Sequence, residues 1–325
     1  MSGAVFGALT AVVIFSGGCS GGDGTGTTGS KQAVAATATA ETNASCIAVA
    51  PFYWAIGDTS GTLVSGSVGA GAPVESTVMS IASGSKWLFG AYAVQKMGGT
   101  PASMYVPFLN FTSGYVGFNG NPCPSSATVD DCFADLGGMQ IEADIGMFDY
   151  DGAHLQRLAS LMGLGADDNA ALTAEVKSQI GPEINFEYTQ PQPAGGVDTS
   201  ADQYALFLEK LLVRSPTPLL IGSTLGSDAV CTNPTTCAAA VFSPIPGSAT
   251  STESWHYGLT HWIEDDPEVG DGAFSSAGTY GFYPWVDATR TIYGVLAREA
   301  PAGQGYPSAV CGRLFRKAWV TGQSQ

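Results

Sequence analysis

The chain has 325 residues, of which 12 are Lys or Arg and 28 are Asp or Glu, so its formal net charge is −16. Nucleic-acid binding is excluded as a first function, because that affinity comes largely from basic side chains that neutralise phosphates. The hydrophobic fraction of 45% is sufficient for a folded core. Only 12% of the residues are charged, which together with abundant Gly, Ala, Ser and Thr indicates an exported protein.

The N-terminal segment has the composition of an export signal. Residues 3–15 are uncharged and apolar, a run too short for a transmembrane helix but typical of a signal-peptide core. Cys19 follows small residues, as in a bacterial lipobox, and would then carry a lipid; the basic n-region is missing, so plain secretion stays open. We expect a signal peptide over 1–19 and a flexible Gly/Ser/Thr/Ala-rich tether over 20–45. The protein would be exported from a bacterial cell, as a periplasmic protein, an outer-membrane-anchored lipoprotein or a secreted protein.

The predicted strands lie at both ends of the chain and the predicted helices lie between them. The expected strands are Ala48–Ile56, Gly61–Val68, Tyr257–Glu264, Thr279–Val286 and Thr291–Ala297. The expected helices are one from near Ser83 to Met97, His154–Gly163, Ala201–Leu212 and Val310–Val320. This order predicts an α/β (α+β) domain in which a sheet region, 46–90 with 250–325, carries a mostly helical insertion at about 91–249.

Six cysteines remain when Cys19 is set aside, an even number that predicts three disulfides in an exported chain. Proximity in the sequence favours Cys123–Cys132 and Cys231–Cys237, which leaves Cys46–Cys311 to tie the first strand to the last helix. Buried free thiols are the alternative. No C-x-x-C spacing is present, so a zinc site is disfavoured and we expect no metal.

An activated nucleophile is the natural feature to look for in an exported enzyme without a metal motif. The only G-x-S-x-G lies in the leader, which argues against an α/β-hydrolase nucleophile turn. The only S-x-x-K is Ser83-Gly84-Ser85-Lys86. Three residues on a helix span about one turn, so a neutral Lys86 amine could take the proton of Ser83, and the helix N-terminus would favour an oxyanion. Taken alone, the motif could equally be a helix N-cap followed by a solvated lysine.

Several ordered segments resemble the serine β-lactamase and penicillin-binding protein superfamily, in particular its class C and carboxylesterase branch. They are Ile81–Leu88 around the S-x-x-K, Pro107–Gly114, Pro193–Leu208, Trp255–Leu259 and Trp285–Asp287. The resemblance implies a β-lactamase-like domain over 46–325, with an antiparallel five-stranded sheet built from both chain ends and flanked by helices. It also implies that Ser83 is acylated with Lys86 as its proton acceptor.

The second motif of that family is Y-x-N, whose tyrosine shuttles protons at the serine. Phe148–Leu155 stands at the corresponding place, which points to Tyr150, with Gly152 where the family has Asn. The missing amide would normally bind the acyl side chain or hold the lysine. Tyr188 is the alternative catalytic tyrosine, because Gln190 follows it, although it comes immediately before the Pro193–Leu208 segment. Either tyrosine could instead be an ordinary packed side chain.

The third motif, K-T-G or H-x-G, corresponds by position to Ser276-Ala277-Gly278, with Thr279 next. The resemblance implies an oxyanion hole formed by the backbone N–H groups of Ser83 and Thr279, with Ser276 and Gly278 beside the substrate. The basic residue that helps β-lactam-processing members bind a carboxylate is absent, which argues against an anionic substrate.

Aromatic residues of the late strands, among them Trp255 and Tyr280, could line an apolar cleft or belong to the sheet core. We interpret His256 and His261 as structural, and the acidic run 264–268 as a solvated loop rather than a calcium site.

Three functions follow as hypotheses. The first is an esterase on small neutral or apolar esters, without a cofactor and acting as a monomer. The second is a β-lactamase, D,D-peptidase, D-aminopeptidase or oligoamide hydrolase on the same fold. The third is a binding protein that has lost catalysis, suggested by Gly152 and Ser276 in place of family residues. The partner in the first two is a small-molecule ester or amide, and the membrane is reached only through a lipid on Cys19.

Overall fold

The structure is a computed structural model that describes residues 26–118, 120–123, 126–245 and 253–325, with side chains from residue 31 onwards. The expected signal peptide, Cys19 with its lipid and residues 20–25 of the tether lie outside the described residues.

Short strands and helices make up the described fold. The strands are β1 (Phe52–Asp58), β2 (Gly61–Val68), β3 (Met79–Ser80), β4 (Tyr115–Val116), β5 (Met139–Gln140), β6 (Phe148–Asp149), β7 (Phe186–Tyr188), β8 (Val197–Thr199), β9 (Val230–Cys231), β10 (Ala240–Phe242), β11 (His256–Gly258), β12 (His261–Glu264), β13 (Ala273–Ser275), β14 (Tyr283–Val286) and β15 (Tyr293–Ala297). The α-helices are α1 (Gly26–Thr42), α2 (Ala44–Ile47), α3 (Ser85–Lys96), α4 (Val106–Leu109), α5 (Val129–Asp135), α6 (Ala153–Ala159), α7 (Asn169–Ile180), α8 (Ala201–Glu209) and α9 (Gly305–Thr321).

An antiparallel sheet joins the two ends of the chain, as predicted. Among the described residues its order is β2-β1-β15-β14-β13-β12-β11-β9, so it has eight strands rather than the expected five. The difference arises because the expected strand Tyr257–Glu264 is a hairpin: Leu259 and Thr260 have φ values of 45° and 70°, and they turn β11 back onto β12. Strand β9 of the insertion then pairs with β11 and extends the edge.

The centre of the sheet is covered by helices. Residues Phe52–Ile56 of β1 are all buried, which requires cover on both faces of the strand. Helices α8 and α9 both pack against β14 and β15. Phe315 of α9 contacts the rings of Trp54 and Trp285 at centroid distances of 5.3 and 6.3 Å. The sheet packed against α8 and α9 therefore forms the central core of the fold.

The prediction of a flexible tether over 20–45 is wrong for its described part. Helix α1 occupies most of it and packs along α9. Ala36, Thr39 and Ala40 are fully buried, because small side chains one turn apart allow two helices to approach closely. Thr39 also accepts a hydrogen bond from the Gln325 N–H at 3.0 Å, which ties this helix to the end of the chain. Alanine is also the strongest helix former, so the composition interpreted as a linker suits a packed helix.

All three expected disulfides are present in the structure. They are Cys46–Cys311, Cys123–Cys132 and Cys231–Cys237. Cys46 lies in α2 rather than in the first strand, so its bond fastens the N-terminal helices to α9. The other two bonds close short loops of the insertion.

Candidate active site

Ser83 lies in a single turn of 3₁₀ helix, Ala82–Gly84, that runs directly into α3. Ala82 has a φ of 43°, a left-handed conformation that turns the chain sharply from β3 into this helix. Helix α3 is buried at every position along Ser85–Val94, so it is surrounded by the core on all sides. The predicted helix start near Ser83 is confirmed, and the serine is fixed at the helix N-terminus.

The Lys86 side chain reaches back to this serine. Its Nζ lies 2.9 Å from Ser83 Oγ and donates a hydrogen bond, also of 2.9 Å, to the carbonyl oxygen of Ala194. The same atom lies 4.8 Å from the ring centroid of Tyr150. Lys86 is therefore not the solvated lysine of the alternative interpretation, because it is 5% exposed and held by three neighbours.

The electrostatic environment of Lys86 favours its neutral form near pH 7. Burial lowers its pKa from 10.5 to about 7, and the nearby Asp151 carboxylate acts in the opposite direction and limits the shift. A large fraction of the amine is then unprotonated at neutral pH. Such an amine can accept a proton from an adjacent hydroxyl.

Tyr150 follows β6, and its ring stacks on Trp262 with a centroid distance of 5.0 Å and an interplanar angle of 25°. Burial raises its pKa to about 12, although the side chains of Ser83 and Trp262 act to lower it. The phenol is thus protonated at neutral pH and faces Ser83. It can pass a proton but is not a phenolate base.

The alternative tyrosine lies elsewhere. Tyr188 is in β7, where it pairs with Val197 of β8, and it is not among the residues that line the pocket at Ser83. Its hydroxyl has no hydrogen-bond partner among the described residues, and burial raises its pKa. Of the two candidates, the structure brings Tyr150 and not Tyr188 to the serine.

The third motif contacts the serine segment through its backbone. Ser276 Oγ donates to the Ser83 carbonyl oxygen at 3.0 Å, and this side chain is buried and not part of the pocket lining. A Cβ on Gly278 would lie 2.2 Å from the Ile81 carbonyl oxygen, so only glycine allows this close approach. Ser276 and Gly278, expected to bind substrate, instead hold the loop that carries Ser83.

Thr279 is the member of this motif that lines the pocket. Its Oγ1 accepts the Gly303 N–H at 2.8 Å, which fixes the segment next to α9. Within the described chain, neither the Ser83 N–H nor the Thr279 N–H donates to another backbone group. Both are available for the oxyanion role that the family resemblance implies.

Gly152 leaves little room for the missing amide. A Cβ at this position would lie 3.1 Å from Phe118 Cδ2 and 3.2 Å from the Ala194 Cβ, so a larger side chain would displace its neighbours. The preceding Asp151 is buried, and its carboxylate accepts backbone N–H groups of Phe118 at 3.1 Å and Ala153 at 2.8 Å. Lys86 is held by the Ala194 carbonyl, in the role in which the sequence resemblance implies an Asn.

A small pocket of about 80 Å³ opens beside Ser83. Apart from Ser83, its lining residues are Tyr150, Pro244, Ile245, Trp262, Ala277, Thr279, Gly303, Gly305 and Tyr306. Trp255 and Tyr280, predicted as possible lining residues, are absent from this set, and Trp255 instead packs edge-on behind Trp262 with ring centroids 6.0 Å apart. Trp262 and Tyr306 were not predicted as lining residues. The aromatic richness of the β11–β12 segment was the available signal for Trp262, and none existed for Tyr306.

The histidines His154 and His261 are structural, and burial lowers the pKa of each to about 4. His261 accepts the Gly226 N–H and stacks on Trp87, and His154 Nδ1 accepts from Ser113 Oγ at 2.7 Å. In the part of the chain that the structure describes, no cluster of His, Cys, Asp and Glu could hold a metal ion. No helix there is both long and apolar enough to span a bilayer.

Comparisons with known proteins give the fold but no near relative. No protein-family model and no curated protein matches the sequence. A Bacteroides dorei protein assigned as a β-lactamase has a TM-score of 0.60 at 18% identity, covering 83% of this chain and 93% of its own. EstCE1, described as a hydrolase with promiscuous acyltransferase activity, has a TM-score of 0.58 at 14% identity, with 89% and 99% covered.

A β-lactamase from Mycobacterium bovis has a TM-score of 0.55 at 14% identity, covering 84% of this chain and 95% of its own. A penicillin-binding protein homologue from Pyrococcus abyssi has a TM-score of 0.55 at 15% identity, with 84% and 74% covered. The chain therefore has the fold shared by serine β-lactamases and penicillin-binding proteins, which confirms the fold class that the sequence motifs implied.

Proposed function

We propose that this protein is a serine hydrolase, and specifically a carboxylesterase that acts on small neutral or apolar esters. The observation that carries the proposal is the contact between the Lys86 amine and the Ser83 hydroxyl, in a buried site that lowers the pKa of the amine to about 7, so that about half of it is neutral at pH 7. Tyr150 beside this pair and the small pocket next to it supply the other parts that such chemistry needs.

The first half-reaction forms an acyl-enzyme. Lys86 accepts the Ser83 proton as Ser83 Oγ bonds to the ester carbonyl carbon, and the carbonyl electron pair moves onto its oxygen. The N–H groups of Ser83 and Thr279 stabilise that oxyanion. When the pair returns, the carbon–alkoxide bond breaks, and the proton passes from Lys86, with the Tyr150 hydroxyl as relay, to the departing alcohol.

The second half-reaction releases the acid. A water molecule gives its proton to Lys86 and its oxygen bonds to the acyl carbon. The bond from that carbon to Ser83 Oγ then breaks, and the serine recovers its proton. All groups that move protons belong to the protein, so the cycle needs no cofactor.

The preference for neutral substrates rests on the charge around the site. None of the described residues that line the pocket is Lys or Arg, and the position where β-lactam-processing relatives hold a basic residue is Ser276, whose hydroxyl donates to the Ser83 carbonyl. The net charge of −16 repels anions at long range, although salt screens this effect beyond about 8 Å. A carboxylate-bearing substrate would therefore lack a counter-ion.

The test is a panel of nitrophenyl esters, anilides and nitrocefin, together with a fluorophosphonate probe that phosphorylates an activated serine and releases fluoride. We expect labelling and ester turnover by the wild-type protein, and neither by Ser83→Ala. The exposed Ser178 provides the matched control, because Ser178→Ala changes a surface helix residue and should leave both signals intact. Folded Ser83→Ala with unchanged esterase activity would overturn the proposal.

The same panel separates the other substrates of this fold. Among proteins with this fold are a β-lactamase from Mycobacterium bovis and a Bacillus anthracis protein assigned as a 6-aminohexanoate-dimer hydrolase. Nitrocefin or anilide turnover at rates rivalling those of esters would replace the ester assignment while keeping the serine mechanism. Absence of labelling and of all turnover would favour a binding protein.

We also propose that the protein is exported, either free or lipidated on Cys19, and that it acts as a monomer. The three disulfides support export, because such bonds persist in oxidising compartments. Mass spectrometry of the mature protein would distinguish a diacylated Cys19 from a simple cleaved N-terminus, and an uncleaved cytoplasmic chain would contradict export. Size-exclusion chromatography with light scattering would test the monomer.

A further inference from the structure

One side of the pocket is formed by Tyr306, in the first turn of α9, and another by Trp262 of β12. Neither residue has a part in the proton transfers proposed above. Their positions relative to each other depend on a carboxylate, Glu253, that is outside the pocket lining. The Tyr306 hydroxyl donates to Glu253 Oε1 at 2.6 Å.

Glu253 is at the centre of a hydrogen-bonded group of four residues. Arg313, two turns after Tyr306 on α9, donates to both carboxylate oxygens at 2.9 and 3.1 Å. The Trp255 indole Nε1 donates to Oε2 at 2.9 Å. The Glu253 and Arg313 side chains are 13% and 12% exposed. A bidentate guanidinium–carboxylate pair that is mostly removed from solvent has a fixed geometry, so the two aromatic donors are also fixed.

This group contacts two of the residues that line the pocket. Tyr306 is one of them, and Trp255 packs edge-on against the Trp262 ring with an interplanar angle of 73°. The Trp255 and Tyr306 rings also contact each other, with centroids 6.4 Å apart. A shift of Glu253 would therefore move Tyr306 directly and Trp262 through Trp255.

We propose that Tyr306 and Trp262 determine specificity for a short apolar acyl group, and that Glu253, paired with Arg313, is a positioning residue that fixes the places of these two side chains in the pocket lining. The acyl side is indicated because the pocket begins at Ser83, and the acyl group stays bonded to that serine through both half-reactions while the alcohol leaves. A pocket of about 80 Å³ suits only a few carbon atoms. The inference rests on the proposed function, since it assumes that Ser83 is acylated.

The experiment measures kcat and KM for nitrophenyl acetate, butyrate and octanoate with the wild type, Tyr306→Ala, Tyr306→Phe and Glu253→Gln. Removing the ring in Tyr306→Ala should raise the octanoate-to-acetate ratio of kcat/KM by about tenfold or more, the discrimination typical of extra methylenes in an apolar pocket. Tyr306→Phe keeps the ring but loses the bond to Glu253. Its KM for butyrate should rise several-fold while kcat stays within about twofold.

Glu253→Gln should resemble Tyr306→Phe, because the amide keeps the size of the carboxylate but loses the charge that Arg313 holds. Tyr306→Phe leaves the bonds from Glu253 to Arg313 and Trp255 intact, so it tests the inference even where Glu253→Gln does not fold. Tyr105→Phe, a hydroxyl removal at the residue before α4, is the matched control and should leave the chain-length profile unchanged.

Fluorophosphonate labelling of Ser83 in every variant distinguishes a failure of this inference from a failure of the proposed function. Labelled, active variants whose chain-length ratio and KM equal those of the wild type would overturn the inference and leave the proposed function standing. A wild-type protein that is neither labelled nor active would overturn the proposed function and this inference with it.

Discussion

The Lys86 amine lies 2.9 Å from the Ser83 hydroxyl oxygen, and it reaches the Ala194 carbonyl oxygen at the same distance. A neutral amine has two N–H donors and one lone pair. With one N–H directed to the Ala194 carbonyl, which can only accept, the lone pair is free to accept the proton of Ser83. The carbonyl thus holds the amine in place without competing for its lone pair. The sequence resemblance implies an asparagine in this role.

Replacing this amine should remove activity without unfolding the protein. Lys86→Met keeps an unbranched side chain of similar length and removes the cost of burying an amine, but it leaves the Ala194 carbonyl without this donor, so the free energy of unfolding should fall by no more than about 1–3 kcal/mol. We expect kcat/KM for a short-chain ester to drop by about 10³-fold, in the range for loss of a general base. Lys96→Met is the matched control, because Lys96 is an exposed residue of the same helix paired with Glu175. Equal losses in both variants would contradict the assigned role.

The pH dependence of kcat/KM should show an acid limb set by Lys86. Since its pKa is lowered to about 7 and the unprotonated form is the base, the rate should fall about tenfold per pH unit below 7 and level off above it. Tyr150, with a pKa of about 12, stays protonated and should cause no alkaline fall up to pH 10. A pH-rate profile with a folded-state check at each pH measures this. A limb centred near 4 would point instead to a buried histidine.

Asp151 should affect the pH at which this acid limb lies. Its carboxylate raises the pKa of Lys86 against the effect of burial, so Asp151→Asn should move the acid limb to lower pH. The amide oxygen can still accept part of the bonding from the Phe118 and Ala153 N–H groups, so the loop is kept. Asp151→Ala leaves those N–H groups unpaired and should cost about 1–3 kcal/mol of unfolding free energy. An unmoved limb in a folded Asp151→Asn protein would show that the carboxylate is only structural.

The disulfide between α2 and α9 should contribute more stability than the local ones. Cys46 and Cys311 are 265 residues apart, so their bond restricts the unfolded chain strongly, by about 5.5 kcal/mol in the loop-entropy model. Cys231 and Cys237 are six residues apart, for which the same model gives about 2 kcal/mol. Urea denaturation of the Cys46→Ala/Cys311→Ala and Cys231→Ala/Cys237→Ala variants measures both. Equal midpoints would mean that α1 and α2 add little to the folded core.

The sequence predicts those parts of the site whose residues are close together in the chain, and it does not predict those that tertiary packing brings together. Ser83 and Lys86 could be paired from sequence because three residues of helix fix their contact, and the order of motifs sufficed to favour Tyr150. The places of Trp262 and Tyr306 in the pocket lining could not be predicted. These residues are 44 positions apart, on a strand and a helix, and no local sequence pattern indicates that the two elements pack together. Ser276 was placed in the right segment but given the wrong contact, since the direction of a hydroxyl depends on the tertiary approach to Ser83.

In the fold, too, the features set by local sequence were predictable and those set by distant contacts were not. The antiparallel sheet from both ends was predictable from runs rich in β-branched and aromatic residues and from turns such as the one between β1 and β2. The β11–β12 hairpin was missed because Leu259 and Thr260 are not residues that signal a left-handed turn. Helix α1 was missed because its small residues acquire a buried face only through contact with α9, a partner that lies almost 300 residues away.

Gly152 provides the last test, because the sequence resemblance implies an asparagine at this position and the substitution can be made. A Cβ there is already within 3.2 Å of both Phe118 and Ala194, so the larger amide must push on the residue whose carbonyl holds Lys86. We expect Gly152→Ala to cost about 1–3 kcal/mol of stability through overpacking, with kcat reduced modestly, and Gly152→Asn to lower kcat/KM at least about tenfold. Thermal unfolding together with ester and nitrocefin kinetics on both variants measures this. A Gly152→Asn protein that matches the wild type on esters would show that the amide can take over from the Ala194 carbonyl, and a gain on nitrocefin would show that glycine at this position restricts the substrate.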